Sequence, residues 1–450
     1  MQKNNYRERL HKAIPGGAHT YSRDDDQFPS NAPEILLKGE GAYVYDHIGN
    51  EYLDYGMGLR SVNLGYANPE VLSAAVLELK KGNNLTRASI TELKAAELLI
   101  DLIPSVEMVK FAKHGSTVTT AAIKLARAYT NRKYIAVPSE QPFFSFNDWF
   151  IGSTDLKRGT LTETASFTLK FNYGDIDSLK SLFKKYPNQI AGVILEPSTV
   201  LHPCLPSCKN LDSCYKCKNN DQNFLKKVRA LTKQESALMI LDEMITGFRW
   251  DLRGGQFFYN VEPDLCTFGK AMANGFAVSA LCGKREIMSL GSIRNIGAER
   301  VFLTSTTHGA EMSSLGAFIK TVEILKRDDV IKKNWEYGTR LIVETNKLAN
   351  QYGISNIITF EGLGCSPSYS FHNVENTTPL ELRTLFLQEM IKQRILMPYI
   401  SISYAHGETE FDKTMTGIEK TFDIMQKALK GNFHDFLDSK VVKPVFRKYN

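Results

Sequence analysis

The stretch Ala237-Leu-Met-Ile-Leu-Asp242-Glu-Met-Ile-Thr-Gly-Phe-Arg249 decides the fold. Its five apolar residues read as a strand that ends in two acids and then a Thr-Gly turn. Similar short runs stand on either side, Val193-Ile-Leu195 upstream and Leu265-Cys-Thr-Phe268 downstream, with helical pattern between them. Runs of this length, buried on both faces and alternating with helices, predict a mostly parallel α/β sheet. Ligands of such sheets bind beyond the carboxyl ends of the strands, which is where Asp242 falls.

Around this centre the chain divides into regions. Residues 36–54 read as two short strands, a hairpin around Ile48-Gly-Asn50, within an N-terminal segment of residues 1–70. Residues 71–312 read as the large domain, interrupted by a cysteine-rich insertion at 203–220. Residues 313–430 read as a smaller α+β domain led by a long helical stretch with a break near Arg327-Asp-Asp329. Its last helix, Glu408 to Leu429, is expected to stop at Gly431 as a C-cap glycine, leaving 431–450 as a tail.

Composition excludes several classes. The 450 residues are 43% hydrophobic and 23% charged, values of a globular chain and not of a fibrous, disordered or small disulfide-stapled one. The net charge of +6 comes from Lys and Arg spread along the chain, which argues against nucleic acid as the main partner. Met1 to Leu10 is polar and no run of about 18 apolar residues occurs, so neither a secretory signal nor a membrane span is expected, and the expected location is cytoplasmic.

Four segments carry chemistry. Leu265-Cys-Thr-Phe-Gly-Lys270-Ala-Met-Ala-Asn-Gly275 brings a lysine to the edge that holds Asp242, followed by small residues that leave room beside it. A lysine amine at an apolar strand end suits nucleophilic chemistry on a carbonyl. Gly115-Ser116-Thr117 opens a helix with Ala122, Leu125, Ala126 and Tyr129 on one face, and a helix start rich in N–H groups and hydroxyls suits a phosphate. Thr304-Ser-Thr306-Thr307-His-Gly309 is a second hydroxyl cluster. Singly, these read as well as a surface lysine, an N-cap by Ser116 or Thr117, and a polar loop. Together they match the needs of pyridoxal phosphate: a phosphate anchor, a lysine for the Schiff base, and an acid at the pyridinium nitrogen.

Over about residues 8–430 the chain resembles the class III, fold-type I pyridoxal-phosphate aminotransferases, most closely the glutamate-1-semialdehyde aminomutase branch. The resemblance rests on Ile14-Pro-Gly-Gly17, Gly41-Ala-Tyr-Val-Tyr-Asp46, Leu125-Ala-Arg-Ala-Tyr-Thr130, Leu195-Glu-Pro197, Asp242 to Arg249, and Gly269-Lys270. It implies that Lys270 forms the Schiff base and then moves the substrate proton, and that Asp242 holds the pyridinium proton. It implies also that Met244 packs on one ring face, that Phe143 stacks on the other, and that Gly115, Ser116 and Thr117 meet the phosphate. Thr306 or Thr307 matches a threonine that reaches the phosphate from a neighbouring subunit, which implies a homodimer. Arg23, at the end of Gly16-Gly-Ala-His-Thr-Tyr-Ser-Arg23, matches an arginine that binds a substrate carboxylate.

Departures from the branch shape the expected reaction. Phe143-Phe144-Ser145 stands where the aminomutases have Tyr-His-Gly. Arg60 replaces a small residue, and reads either as a second anion contact or as a solvated arginine. Met397-Pro-Tyr-Ile-Ser-Ile-Ser-Tyr-Ala-His406 lacks the acid of the branch's Phe-Glu-Ala segment. An aminomutase must retain its diamino intermediate, whereas a transaminase releases a keto product. The expectation is therefore an aminotransferase moving an amino group from an amino acid donor, glutamate, to a small or sugar-derived aldehyde or ketone acceptor. The aminomutase is the alternative; a catalytically silent binding protein of the same fold is a third reading, which an intact Lys270 and Asp242 oppose. Finally, Cys204, Cys208, Cys214 and Cys217 form a C-x3-C-x5-C-x2-C pattern whose thiolates suit a structural zinc, with an iron–sulfur cluster or free or disulfide-bonded thiols as alternatives.

Overall fold

The strand ending at Asp242 is the central one of a seven-stranded sheet in the computed structural model, which describes residues 5–198, 201–204, 223–375 and 377–449. The strand order is Met108–Ala112, Ser279–Gly283, Leu265–Phe268, Leu238–Asp242, Ile190–Leu195, Tyr134–Pro138 and Thr168–Phe171. Every strand but one runs the same way; Ser279–Gly283 is antiparallel to both neighbours. Ile190–Leu195 and Leu238–Asp242 are buried at every position, which is why they read as unbroken apolar runs rather than as alternation. Helix Gly115–Thr130 packs Ala122 and Leu125 into a core shared with Ile135, Ile194, Ile240 and Leu265.

The chain groups into two compact units, one made of Pro69–Ile331, the other of the chain up to Asn68 with Lys332–Arg447. The division therefore runs after residue 331 and not after 312. Helix Met312–Arg327 buries Leu315, Phe318 and Val322 and packs on helices Pro69–Leu79 and Ile90–Leu102, so it stays with the sheet. The break falls at Asp328-Asp329, where Asp329 takes a φ of +50°.

In the other unit, residues 36–54 make three strands instead of two, Leu36–Glu40, Tyr43–Asp46 and Glu51–Asp54, with Ile395–Leu396 added in parallel. Its core gathers Leu53, Tyr55, Leu341, Phe360, Phe386 and Phe422. Residues beyond Gly431 are tied down. The Ser439 hydroxyl accepts from the Ser30 N–H at 3.0 Å, the Val442 N–H donates to Thr384 Oγ1 at 3.0 Å, and Arg447 pairs with Asp26. Gly431 ends helix Glu408–Lys430, but with a φ of −109° it is no left-handed cap; its N–H closes the last turn on the Lys427 carbonyl. Among the described residues no helix is long and apolar enough to cross a membrane.

Candidate active site

The two acids at the central strand end point to different tasks. Asp242, 2% exposed, accepts on Oδ1 from the Met244 N–H and the Thr267 hydroxyl, both at 3.1 Å. Glu243, one residue on and fully buried, accepts from the Gly255 and Gln256 N–H groups at 2.7 Å and from the Thr246 hydroxyl, and so fastens the following loop. Burial pushes the Asp242 carboxyl up to about 7; nearby Glu196 adds to this, while Lys270, the Met244 N–H and Thr267 oppose it. Strand order alone puts Asp242 opposite Thr267, three residues before Lys270.

Lys270 follows strand Leu265–Phe268 and opens a 3-10 turn that ends at Ala273. It is half-buried, near enough to Asp242 to favour its charge, and its backbone is left-handed with a φ of +45°. A non-glycine residue held there is strained by about 1 kcal/mol, a cost that recurs at functional sites. Ala271, Met272 and Ala273 after it are buried and pack on helix Met312–Arg327. Gly269 leaves room for the Met244 thioether: a Cβ there would stand 2.6 Å from Sδ and make the sulfur shift, and one on Gly115 would stand 3.0 Å from the same sulfur.

At the start of helix Gly115–Thr130 the N-cap is His114, which makes no side-chain cap bond, so Ser116 and Thr117 are first-turn residues and not N-caps. Ser116 Oγ instead accepts from the Phe146 N–H at 3.1 Å. Thr119 donates to the Phe144 carbonyl at 2.8 Å, and Thr120 accepts from Asn147 at 2.8 Å and from the Trp149 indole at 2.9 Å. These hydroxyls clamp the 143–147 loop over the helix start; sequence reading missed them, although Thr119-Thr120 one turn into the helix was the available signal. The clamp turns Phe144 into the core at 2% exposure and leaves Phe143 44% exposed. Thr306 and Thr307 are both exposed.

Arg23 and Arg60 lie in the other unit, both near Tyr399. Arg23 lines a cavity of about 540 Å³ with Tyr399, Asp54 and apolar walls that include Phe28 and Leu59. Arg60 is not among the lining residues; its guanidinium sits 5.3 Å over the Tyr399 ring and 3.3 Å from the Ser366 hydroxyl. Both arginines lower the Tyr399 pKa, though burial leaves it raised on balance. Arg60 ends a turn in which Met57, Gly58, Leu59 and Arg60 all have φ between +42° and +66°. Four successive N–H groups of that turn are held by side chains. Gly56 and Met57 donate to the Asp54 carboxylate at 2.7 and 3.0 Å, Gly58 to the Tyr66 hydroxyl at 2.7 Å, and Leu59 to Tyr399. Tyr66 in turn donates to Asp54 at 2.6 Å. His406 backs this network: its Nε2 donates to the Asp54 carbonyl at 3.2 Å, Nδ1 accepts from the Ser403 N–H at 3.0 Å, and burial pushes its pKa down to about 4.

Of the four clustered cysteines, Cys208, Cys214 and Cys217 lie outside the described residues, as does most of the expected 203–220 insertion. Cys204 is a half-buried thiol, and among the described residues no group of three or more side chains is arranged to hold a metal.

The Pro69–Ile331 unit thus joins a helix start fit for an anion, a buried carboxyl fit for a cation and a lysine amine. The Aminotransferase class-III family model matches residues 26–202 and 216–386. A 3-aminobutyryl-CoA aminotransferase of Cloacimonas acidaminovorans is 31% identical over 94% of this chain and 97% of that protein. A glutamate-1-semialdehyde 2,1-aminomutase of Francisella philomiragia is 29% identical over 91% of this chain and 95% of that protein. The same fold recurs in the FumI protein of Sphingopyxis sp. MTA144, solved with PLP, at a TM-score of 0.83 and 22% identity over 97% of this chain and 98% of that one.

Proposed function

The chain belongs to the class-III aminotransferase family, and we propose that its reaction is intermolecular, carrying an amino group from glutamate to a small or sugar-derived aldehyde or ketone. Pyridoxal phosphate supplies, when bound, a carbonyl that takes up amines and a cationic ring that accepts electrons. The residues present fit that group. A carboxyl pushed to about 7 by burial regains its charge beside a ring cation, which gives Asp242 the partner that burial denies it. The first-turn N–H groups at Gly115 and Ser116 suit its phosphate, and Met244, pinched between Gly115 and Gly269, offers an apolar floor.

The chain's own groups divide the work. Asp242 holds the ring nitrogen's proton. Lys270 would hold the cofactor's carbonyl carbon through its amine and, once free of it, Nζ would take the proton from the donor's α-carbon and deliver it to the carbon on the far side of the transferred nitrogen. Arg23 grips a substrate carboxylate, and the exposed Phe143 covers the ring. The exposed hydroxyls of Thr306 and Thr307 support a homodimer in which one of them reaches the partner's phosphate site. The adjacency of Lys270 and Asp242 at one sheet edge carries the reading.

Intermolecular transfer is favoured over the aminomutase because Pro398 and Tyr399, and no acid, are what the 397–406 segment contributes to the cavity wall. The Francisella relative keeps the aminomutase as the second reading. Mixing enzyme with glutamate alone distinguishes them. Transamination predicts about one equivalent of 2-oxoglutarate per site, with bleaching of the cofactor's visible band. Efficient conversion of glutamate 1-semialdehyde to 5-aminolevulinate without any donor, and no keto acid from glutamate, contradicts it.

A further inference from the structure

Helix Gly115–Thr130 carries a second concentration of charge at its far end. A cavity of about 680 Å³ there is lined by Lys124, Arg127, Arg132 and Lys133, together with side-chain amides and the ring of Phe167, and no acidic residue is among its walls. Its walls come from the segments that lead into strands Tyr134–Pro138, Thr168–Phe171 and Ile190–Leu195. That is the amino edge of the sheet, opposite the edge of Asp242 and Lys270. At 1.5 Å per residue, Arg127 stands about 18 Å along the helix from Gly115.

The four cations meet backbone and rings in place of carboxylates. Lys124 donates to the Phe302 carbonyl at 2.8 Å, Arg127 Nε to the Lys133 carbonyl at 3.0 Å, and Arg132 to the Ile190 and Glu235 carbonyls at 3.2 and 2.8 Å. Lys133 lies 5.0 Å over the Tyr134 ring. Among the described residues none of the four takes part in an ion pair, whereas Arg229, in the same unit, is paired with Asp264. Attraction to the negative helix end accounts for cations here, and the carbonyl bonds account for Arg127 Nε and Arg132 Nη1. Neither accounts for Arg127 Nη2, which is buried with no hydrogen-bond partner, against the rule for buried donors. Burial also holds the Arg127 guanidinium below its ordinary range, the direction expected of a cation lacking a counter-charge.

We propose that this cavity is a binding site for a small, multiply charged phosphate compound, separate from the cofactor's phosphate site. Arg127 and Arg132 form its floor, where guanidinium forks match phosphate oxygens, and Lys124 and Lys133 form its exposed rim. Its volume lies within the range of small-molecule sites. All four cations line one concavity, which favours a compact anion over a polynucleotide.

Calorimetric titration of the cofactor-loaded protein with inorganic pyrophosphate tests this, because the cofactor already fills the other phosphate site. Saturable binding of about one equivalent per chain is expected, weakened about tenfold or more by Arg127→Gln and weakened as well by Lys124→Gln with Lys133→Gln. The lysine pair is exposed, so it keeps the test open if Arg127→Gln fails to fold. No saturable heat, or equal affinity in wild type and the variants, overturns the proposal. Tighter binding of a short single-stranded RNA than of pyrophosphate, lost in the same variants, overturns it in favour of a polynucleotide surface.

Discussion

The two compact units position their candidate groups by opposite means. In the Pro69–Ile331 unit regular backbone does it: a strand end aims Asp242, a neighbouring strand end delivers Lys270, and a helix start offers N–H groups. In the other unit, Arg60 is set by a left-handed turn in which Asp54, Tyr66 and Tyr399 bond the N–H groups of Gly56 to Leu59 one after another, while the Arg60 N–H closes on the Gly56 carbonyl at 3.1 Å. Regular elements give direction cheaply, with the strain confined to the left-handed Lys270 just past its strand, and substitutions at their ends touch chemistry more than stability. An irregular turn needs a side-chain scaffold, and substitutions in that scaffold touch stability first.

Five substitutions sharpen or break that contrast. Lys270→Ala lowers kcat by about a thousandfold or more and removes the cofactor's visible band, with little change in thermal unfolding; retention of the band and of turnover contradicts the assigned role. Asp242→Asn lowers kcat about a hundredfold. It also alters pH dependence, because the Asp242 pKa of about 7 lies above its ordinary value of 3.8. The stability contributed by the protonated carboxyl is full below about pH 4 and lost as pH rises through about 7. Urea unfolding of cofactor-free protein therefore shows wild type losing about 2–4 kcal/mol relative to Asp242→Asn between about pH 4 and 8; a flat difference counts against the raised pKa.

Asp54→Ala orphans two N–H groups and the Tyr66 hydroxyl, and costs about 3 kcal/mol of stability in the same unfolding assay. An unchanged midpoint would show that the turn holds itself. Smallest is Phe143→Ala, which changes stability by less than about 1 kcal/mol, whereas Phe144→Ala costs about 3–5 kcal/mol. Equal effects would mean that the clamp of Thr119 and Thr120 does not sort the two rings.

How much of this was legible in the sequence follows the same contrast. The strands at 193–195, 237–241 and 265–268 were readable because burial on both faces leaves an unbroken apolar run. Asp242 and Lys270 followed from where such strands end. The division of labour between Asp242 and Glu243 was not readable, since it depends on which face of the strand the site occupies. The turn at 57–60 was invisible because Met57, Leu59 and Arg60 carry no propensity for left-handed backbone; only Gly58 hints at it. The boundary after residue 331 was hidden because the break near Arg327-Asp-Asp329 reads as an interruption inside one helical stretch, and packing alone assigns helix Met312–Arg327 to the sheet.

The central claim is that the lysine at the end of strand Leu265–Phe268 is the one that bonds the cofactor. Borohydride reduction of the cofactor-loaded protein, followed by peptide mass mapping, tests it directly. The account predicts one phosphopyridoxyl group per chain, on Lys270. A stable adduct on any other lysine, or no adduct in a protein that still transaminates, would contradict it.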